Sequence, residues 1–414
     1  GAFAESRGLE LSLDGDTYVL ARANGRPAAR FVVTPGTTAQ GFGALRAGAA
    51  DIALALREPS VAEIRAAEEA TPDDVPLDDR VRVLALDALV PVVAEDNALA
   101  TLSLPDIAAL FSGEVTNWQD LGGPDAPVAL HLLDPGLGLA QAFAARVLLP
   151  AEAGLADGIA RHLSAEDLAR AVARDAYAVG ITTRSGADGL RALPLSGACG
   201  FAQSATLNAV KAEDYPLTAP VYLYLAPRRL PLLVRQFLAF VETDAAEEQV
   251  RDAGFVDQLL TRTPLADQGE RLVNAILAGG EEVELDDLQA LLTRLGQAER
   301  LSTTFRFNPG GAELDVQSRT SIQRLAAAVE RGAFDGRRLV FVGFSDSDGP
   351  AVVNTRLSLR RADVVRDALL GALDVAAPER VELVTEGFGE AMPMACDDTD
   401  WGRAVNRRVE VWVE

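Results

Sequence analysis

An aspartate that closes an apolar strand and an arginine on the helix after it form the polar pair in this chain with the plainest chemistry. Asp346 ends the run RLVFVGFSD (338–346), and Arg361 lies in the helical stretch 351–373. A strand–turn–helix unit can bring two such residues together. Arginine holds a carboxylate through two parallel hydrogen bonds, and aspartate receives an ammonium. The pair therefore suits the zwitterionic end of a ligand. From spacing alone it suits equally well an ion pair that fixes strand to helix.

Other templates for chemistry do not fill. The chain has no HExxH and no GxSxG elbow. His131 and His162 are its only histidines, are not at metal-ligand spacing and lie near no candidate nucleophile. The run Gly136-Leu137-Gly138-Leu139-Ala140-Gln141 begins like a dinucleotide fingerprint, but Gln141 stands where the third glycine belongs. It reads as a helix-entry turn. Asp346-Ser347-Asp348-Gly349 and Asp397-Asp398-Thr399-Asp400 lack the rest of an EF-hand loop and read as solvated turns. No catalytic residue, metal or cofactor is expected, so the chain is not read as an enzyme.

Composition narrows the partners. With 414 residues, two or three domains are expected. The 38 basic and 61 acidic side chains leave a formal net charge of −23. That balance argues against nucleic acid and against an anionic membrane surface. The hydrophobic fraction of 49% and charged fraction of 24% are those of globular proteins. No run approaches the roughly 20 apolar residues of a membrane span. The opening GAFAESRGLEL lacks a basic start and an apolar core, so it reads as a mature or trimmed chain.

The positioning elements alternate in the α/β manner. RFVVTP (30–35) reads as a buried strand, followed by a helix capped by Thr37 or Thr38. DIALAL (51–56) is a strand, and RVLALDALVPVVA (82–94) is a longer one broken at Pro91. LPDIAALFSG (104–113) is a helix ended by Gly113, and 128–149 reads as strand, turn and helix. AYAVGITT (176–183) and VYLYLAP (221–227) are strands, and 230–243 is an amphipathic helix. Residues 263–301 carry leucines at 285, 288, 291, 292 and 295, the spacing of a helical connector, with Gly279–Gly280 between two helices. From 302 onward the rhythm is βαβαββ.

That last part resembles the OmpA-like peptidoglycan-binding family. The matching segments are FNPGGAELD (307–315), GFSDSDGPAVVNTRLSLRRADVVRDAL (343–369), EGFGEAMP (386–393) and WGRAVNRRVEVWV (401–413). The resemblance implies that Asp346 and Arg361 clasp the diaminopimelate of a cell-wall stem peptide. Asn354 and Leu357 match as loop-shaping and packing positions, and Arg407 and Arg408 match the terminal NRRVE pattern, with Arg408 carried as a pocket residue.

Residues 1–260 resemble the phosphate-type substrate-binding proteins of ABC transporters. FSGEVTNWQDLGG (111–123), GFGALRAGAADIALALREP (41–59), DAYAVGITT (175–183) and EDYPLTAPVYLYLAP (213–227) carry the likeness. It implies a two-lobed periplasmic-binding-protein-like domain over 1–262, with lobe one at about 1–85 plus 215–262 and lobe two at about 86–214. The ligand loop departs from the family. Leu133 takes the place of an arginine, Leu137 of a serine and Leu139 of a threonine. A buried phosphate needs charged and hydroxyl donors, which leucines do not supply. The cleft candidates are Thr37, Thr38, Asp51 and Arg57, with Gly136 and Gly138 keeping a turn and free helix-start N–H groups.

Cys199 and Cys396 fall in different domains, and a bridge between them would lock the two together; that bridge is not expected, and pairing with a cysteine outside this chain stays open. The combined reading is a non-enzymatic, periplasmic, wall-associated protein. The helical connector 263–301 joins the binding-protein-like domain to a small α+β anchor domain over 302–414. The partners are peptidoglycan and, for the cleft, a small molecule or an envelope protein. An anion receptor of an ABC transporter is the alternative, and a cell-wall enzyme using the cleft is the second.

Overall fold

The computed structural model describes residues 1–70, 80–278, 283–307, 313–373 and 380–414. The Gly279–Gly280 pair and residues 308–312 of the FNPGGAELD segment lie outside them.

The N-terminal half is built on a curled sheet in the order Ile52–Ala55, Thr218–Leu225, Val81–Val93, Ala178–Thr183, Ala129–Leu133, Ala160–His162. The strand Val81–Val93 joins its two ends. Its first part pairs with Thr218–Leu225 and its second with Ala178–Thr183, all antiparallel. Pro91 does not break this strand. Its carbonyl accepts from the Leu193 N–H, so its missing donor also faces that edge, where only the two-residue strand Arg191–Ala192 pairs. The strand is almost wholly apolar and buried, as a strand covered on both faces must be.

RFVV is not a buried strand. It belongs to the outer strand Pro27–Val32 of a three-stranded antiparallel meander, and Val32 is 68% exposed. One face of this meander packs through Leu20 and Phe31 onto Phe3, Phe237 and Phe240. The helix Leu232–Val241 contributes the last two.

The C-terminal half is a five-stranded sheet in the order Arg262–Pro264, Glu299–Phe305, Arg408–Val413, Arg338–Phe344, Glu382–Gly387. Alternation along the strands feeds two cores. Leu339, Phe341, Val409 and Val411 pack under the helices Val316–Glu330 and Ala351–Ala372. Val340, Val342 and Trp412 face Leu265, Ala275, Leu291 and Leu295 on the opposite side. The stretch read as a connector is therefore a packed layer. Its helices Gly269–Ala278 and Leu285–Leu295 cover one face of the sheet, and Arg262–Pro264 is the edge strand.

The two halves are joined covalently and by buried charge. Cys199 and Cys396 form a disulfide, contrary to the expectation that no bridge links these two cysteines. The Gln203 side-chain amide donates to the Met394 carbonyl at 2.6 Å, so the segment around Gln203 lies against the loop that carries Cys396. Their separation of 197 residues hid this proximity. Arg300 binds Asp214 from one side, and buried Glu247 pairs with Arg324 on the other. The N-terminal half is thus tied to the C-terminal half at Cys199, Asp214 and Glu247.

Candidate functional site

Two paired glycines set the position of Arg361. Gly343 and Gly387 are neighbours on the parallel strands Arg338–Phe344 and Glu382–Gly387. A Cβ on Gly343 would lie 1.9 Å from the Ser358 carbonyl oxygen, and one on Gly387 would lie 2.5 Å from the Leu359 nitrogen. The helix Ala351–Ala372 thus rests directly on bare backbone, and Arg361 follows one turn later. The Ser358 hydroxyl accepts the Gly389 N–H and donates to the Thr355 carbonyl.

The loop after the strand is held by buried Asn354. Its amide donates to the carbonyls of Asp348 and Gly349 and to Glu390 Oε1 at 2.7 Å. Asp397 Oδ2 accepts the Ser347 N–H at 2.7 Å, and Asn406 Nδ2 donates to Asp397 Oδ1. The two acidic stretches read as solvated turns therefore brace one another.

Within this frame Asp346 is buried and accepts from Arg407 Nη1. Arg361 lies 5.9 Å from the Phe307 ring centroid, and its Nη1 is buried with no hydrogen-bond partner. Burial pulls its affinity for the proton below the usual arginine range; the Asp346 carboxylate opposes this and Arg407 adds to it. A buried guanidinium donor without an acceptor is costly, and a ligand carboxylate would remove the cost.

Arg408 does not join them. It is fully buried on the opposite face, donating to Glu410 Oε1 at 2.8 Å and to the carbonyls of Asn406 and Met392. Its guanidinium sits 4.2 Å from the Phe344 ring centroid, and burial lowers its pKa to about 10. Adjacent residues entering a strand point to opposite faces, so one of Arg407 and Arg408 had to face inward. Arg407 and Phe307 are the neighbours of the clasp that spacing did not select.

Most of the N-terminal candidates come together in space. Thr37 caps the helix Thr38–Arg46 in a reciprocal capping box with Gln40. A Cβ on Gly138 would come 3.0 Å from Thr38 Oγ1 and 3.4 Å from Leu56 Cβ, and one on Gly136 3.6 Å from Thr37 Cγ2. Leu133 and Leu139 are buried in the core, with Leu137 packed against it. Arg57 faces Glu63 with bonds of 2.8 and 3.0 Å and reaches Gln141 Oε1 at 3.1 Å. It holds the Glu63 carboxyl down to about 2. Asp51 pairs at the surface with Arg228 at 2.9 Å. Thr37, Thr38, Arg57, Gly136 and Gly138 thus lie where the segments 37–57 and 136–141 meet.

The two histidines, remote in sequence, also meet. His131 Nδ1 and His162 Nε2 lie 2.9 Å apart on adjacent parallel strands. Among the described residues no group of three or more histidine, cysteine or acidic side chains could hold a metal. No helix among them is long and apolar enough to cross a membrane.

Comparison with known proteins matches this division. Residues 15–245 match the PBP superfamily domain, and residues 306–407 match the OmpA family. Outer membrane porin F of Pseudomonas fluorescens is 35% identical over 120 residues, 29% of this chain and 35% of the porin. The peptidoglycan-binding protein ArfA of Mycobacterium bovis is 35% identical over 107 residues, 26% of this chain and 31% of that protein. The chain thus spans about a third of the length of these relatives. An ABC-type phosphate transport receptor from Vibrio cholerae aligns over 53% of this chain and 84% of its own, at 20% identity and a TM-score of 0.45. These families are binding and structural in kind. The chain belongs to the PBP superfamily and carries a C-terminal OmpA family domain.

Proposed function

We propose that this is a non-enzymatic protein of the periplasmic envelope, held on peptidoglycan by its C-terminal domain. Arg361 binds the carboxylate and Asp346 the ammonium of the diaminopimelate centre in the wall stem peptide, with Arg407 beside them and Asn354 shaping the loop. The observation that carries this reading is the buried Arg361 Nη1 without an acceptor, next to the Asp346–Arg407 pair. The match to the OmpA family and the kinship with a peptidoglycan-binding protein support it.

The N-terminal domain, over about 1–262, is a ligand- or partner-binding module carried by that anchor. Its cleft is not a phosphate receptor: Leu133, Leu137 and Leu139 offer no donor, and Arg57 is neutralised by Glu63. The layer 263–301 fixes it to the anchor.

Sedimentation with purified diaminopimelate-type wall sacculi tests the anchor. Wild type is retained in the pellet, and the double variant Asp346→Ala/Arg361→Ala stays in the supernatant. Equal retention of the two would refute the assignment.

A further inference from the structure

A cavity lies where the two domains meet, beside the disulfide. Its volume is about 340 Å³. Asp106, Phe201 and Gln203 line it from the N-terminal domain, and Asp398, Thr399 and Trp401 from the C-terminal one. Trp401 packs on Met394, Ala395 and Val405 and remains partly exposed. The combination of an aromatic ring, a largely apolar wall and a few carboxylate, amide and hydroxyl groups is what a pyranose needs. A sugar ring has a C–H face for the aromatic surface and a rim of hydroxyls for the polar groups.

The position matters as much as the lining. Cys396 and Asp398 both border the cavity. Asp397, between them, turns the other way and accepts the N–H of Ser347, the residue after Asp346. The stem-peptide clasp and the cavity therefore lie on two sides of one short loop. In peptidoglycan the stem peptide is covalently attached to a glycan strand, so a wall fragment seated at Asp346 and Arg361 must place its sugars nearby.

We infer that this interdomain cavity is a subsite for the N-acetylated amino sugars of the wall glycan. The inference rests on the wall-anchor reading. The site needs both domains, since each contributes part of its lining, and it extends recognition from the peptide to the disaccharide that bears it.

The test uses the full chain and three probes: a diaminopimelate-containing tripeptide, the N-acetylglucosaminyl–N-acetylmuramyl disaccharide, and the two joined as a disaccharide-tripeptide. Calorimetry should give an affinity for the joined fragment at least about tenfold above that for the tripeptide. Trp401→Ala should erase this gain and leave tripeptide affinity unchanged, which also shows that the variant is folded, while Trp401→Phe should keep most of it. Equal affinity of wild type for both fragments, or a gain that survives in Trp401→Ala, overturns the inference.

Tryptophan emission provides a separate readout. Trp118 and Trp412 are 1% and 0% exposed, so a quencher or sugar in solution reaches Trp401 alone among the three. If the tripeptide does not bind, the anchor reading fails by itself. The disaccharide alone then decides the cavity: a saturable change in Trp401 emission supports the subsite, and no change removes it.

Discussion

Arg300 grips Asp214 across the domain boundary, with Nη1 to Oδ2 at 2.5 Å and Nη2 to Oδ1 at 2.7 Å. The same guanidinium has Nε 3.1 Å from Glu410 Oε2. Asp214 and Glu410 are both buried and share this arginine from the strand Glu299–Phe305, and Glu410 is paired with Arg271 and Arg408 as well. Removing one member of a buried pair strands the other charge away from water. Arg300→Leu is expected to lower unfolding free energy by about 3–5 kcal/mol in urea titration. A loss below about 1 kcal/mol would mean that water reaches the pair.

The disulfide should contribute on top of this. Replacing both Cys199 and Cys396 by alanine is expected to cost about 2–4 kcal/mol. Small-angle scattering of the variant should remain that of the parent, because Asp214–Arg300 and Glu247–Arg324 still hold the two halves together. An expanded particle would show that the covalent bond alone fixes the arrangement.

Gly343 tests the close helix approach. Its hydrogen is replaced by a methyl in Gly343→Ala, and that Cβ must displace the helix backbone at Ser358. A destabilisation of about 3 kcal/mol is expected, together with loss of wall sedimentation. An alanine variant with parental melting temperature and parental retention would contradict the glycine requirement.

The two neighbouring arginines should part company. Arg408→Ala leaves Glu410 without one of its buried partners and should cost about 3–5 kcal/mol by chemical denaturation. Arg407→Ala, at a partly exposed site, should change stability by less than about 1 kcal/mol while weakening wall retention. The reverse pattern would place the pocket on the wrong face of the sheet.

Glu213 makes the interface sensitive to pH. Burial, and then Asp315, push its carboxyl up to about 8 from an ordinary 4.5, against the pull of Arg306 and Arg146. Below about pH 4.5 the group is protonated folded or unfolded and costs nothing. Between there and about 8 the unfolded chain ionises while the folded one does not, so stability falls as pH rises through that window. Glu213→Gln should therefore raise stability at pH 8.5, by roughly 1–2 kcal/mol since the residue keeps some solvent contact, and leave pH 4 unchanged. Melting curves at the two pH values check this; an equal shift at both would assign the effect to packing.

Much of the C-terminal domain was legible because its elements are local. Period-two runs such as 407–414 and 338–346 are strands, and Asp346 and Arg361 are brought near each other by one turn between adjacent elements. What the sequence left hidden is non-local. Asp214 and Arg300 lie 86 residues apart, and no periodicity marks them as partners. The leucines of 285–295 specify an amphipathic helix but not the surface it covers, so a packed layer read as a connector. RFVV has a strand's composition, and only the absence of a covering element leaves Val32 exposed. Arg407 and Arg408 were separated by strand geometry that a shared motif does not encode.

The bond between Cys199 and Cys396 also determines how the chain would carry load. A protein fixed to the wall at one end and to a partner at the other is pulled along its backbone. The chain between the two cysteines, a sequence separation of 197, would span roughly 690 Å if drawn out straight. With the bridge closed, that length is bypassed: tension applied at the loop of Cys396 would pass directly into the N-terminal domain at Cys199. The tether then has almost no slack, and the distance between the wall and the N-terminal module is held at the scale of the folded body.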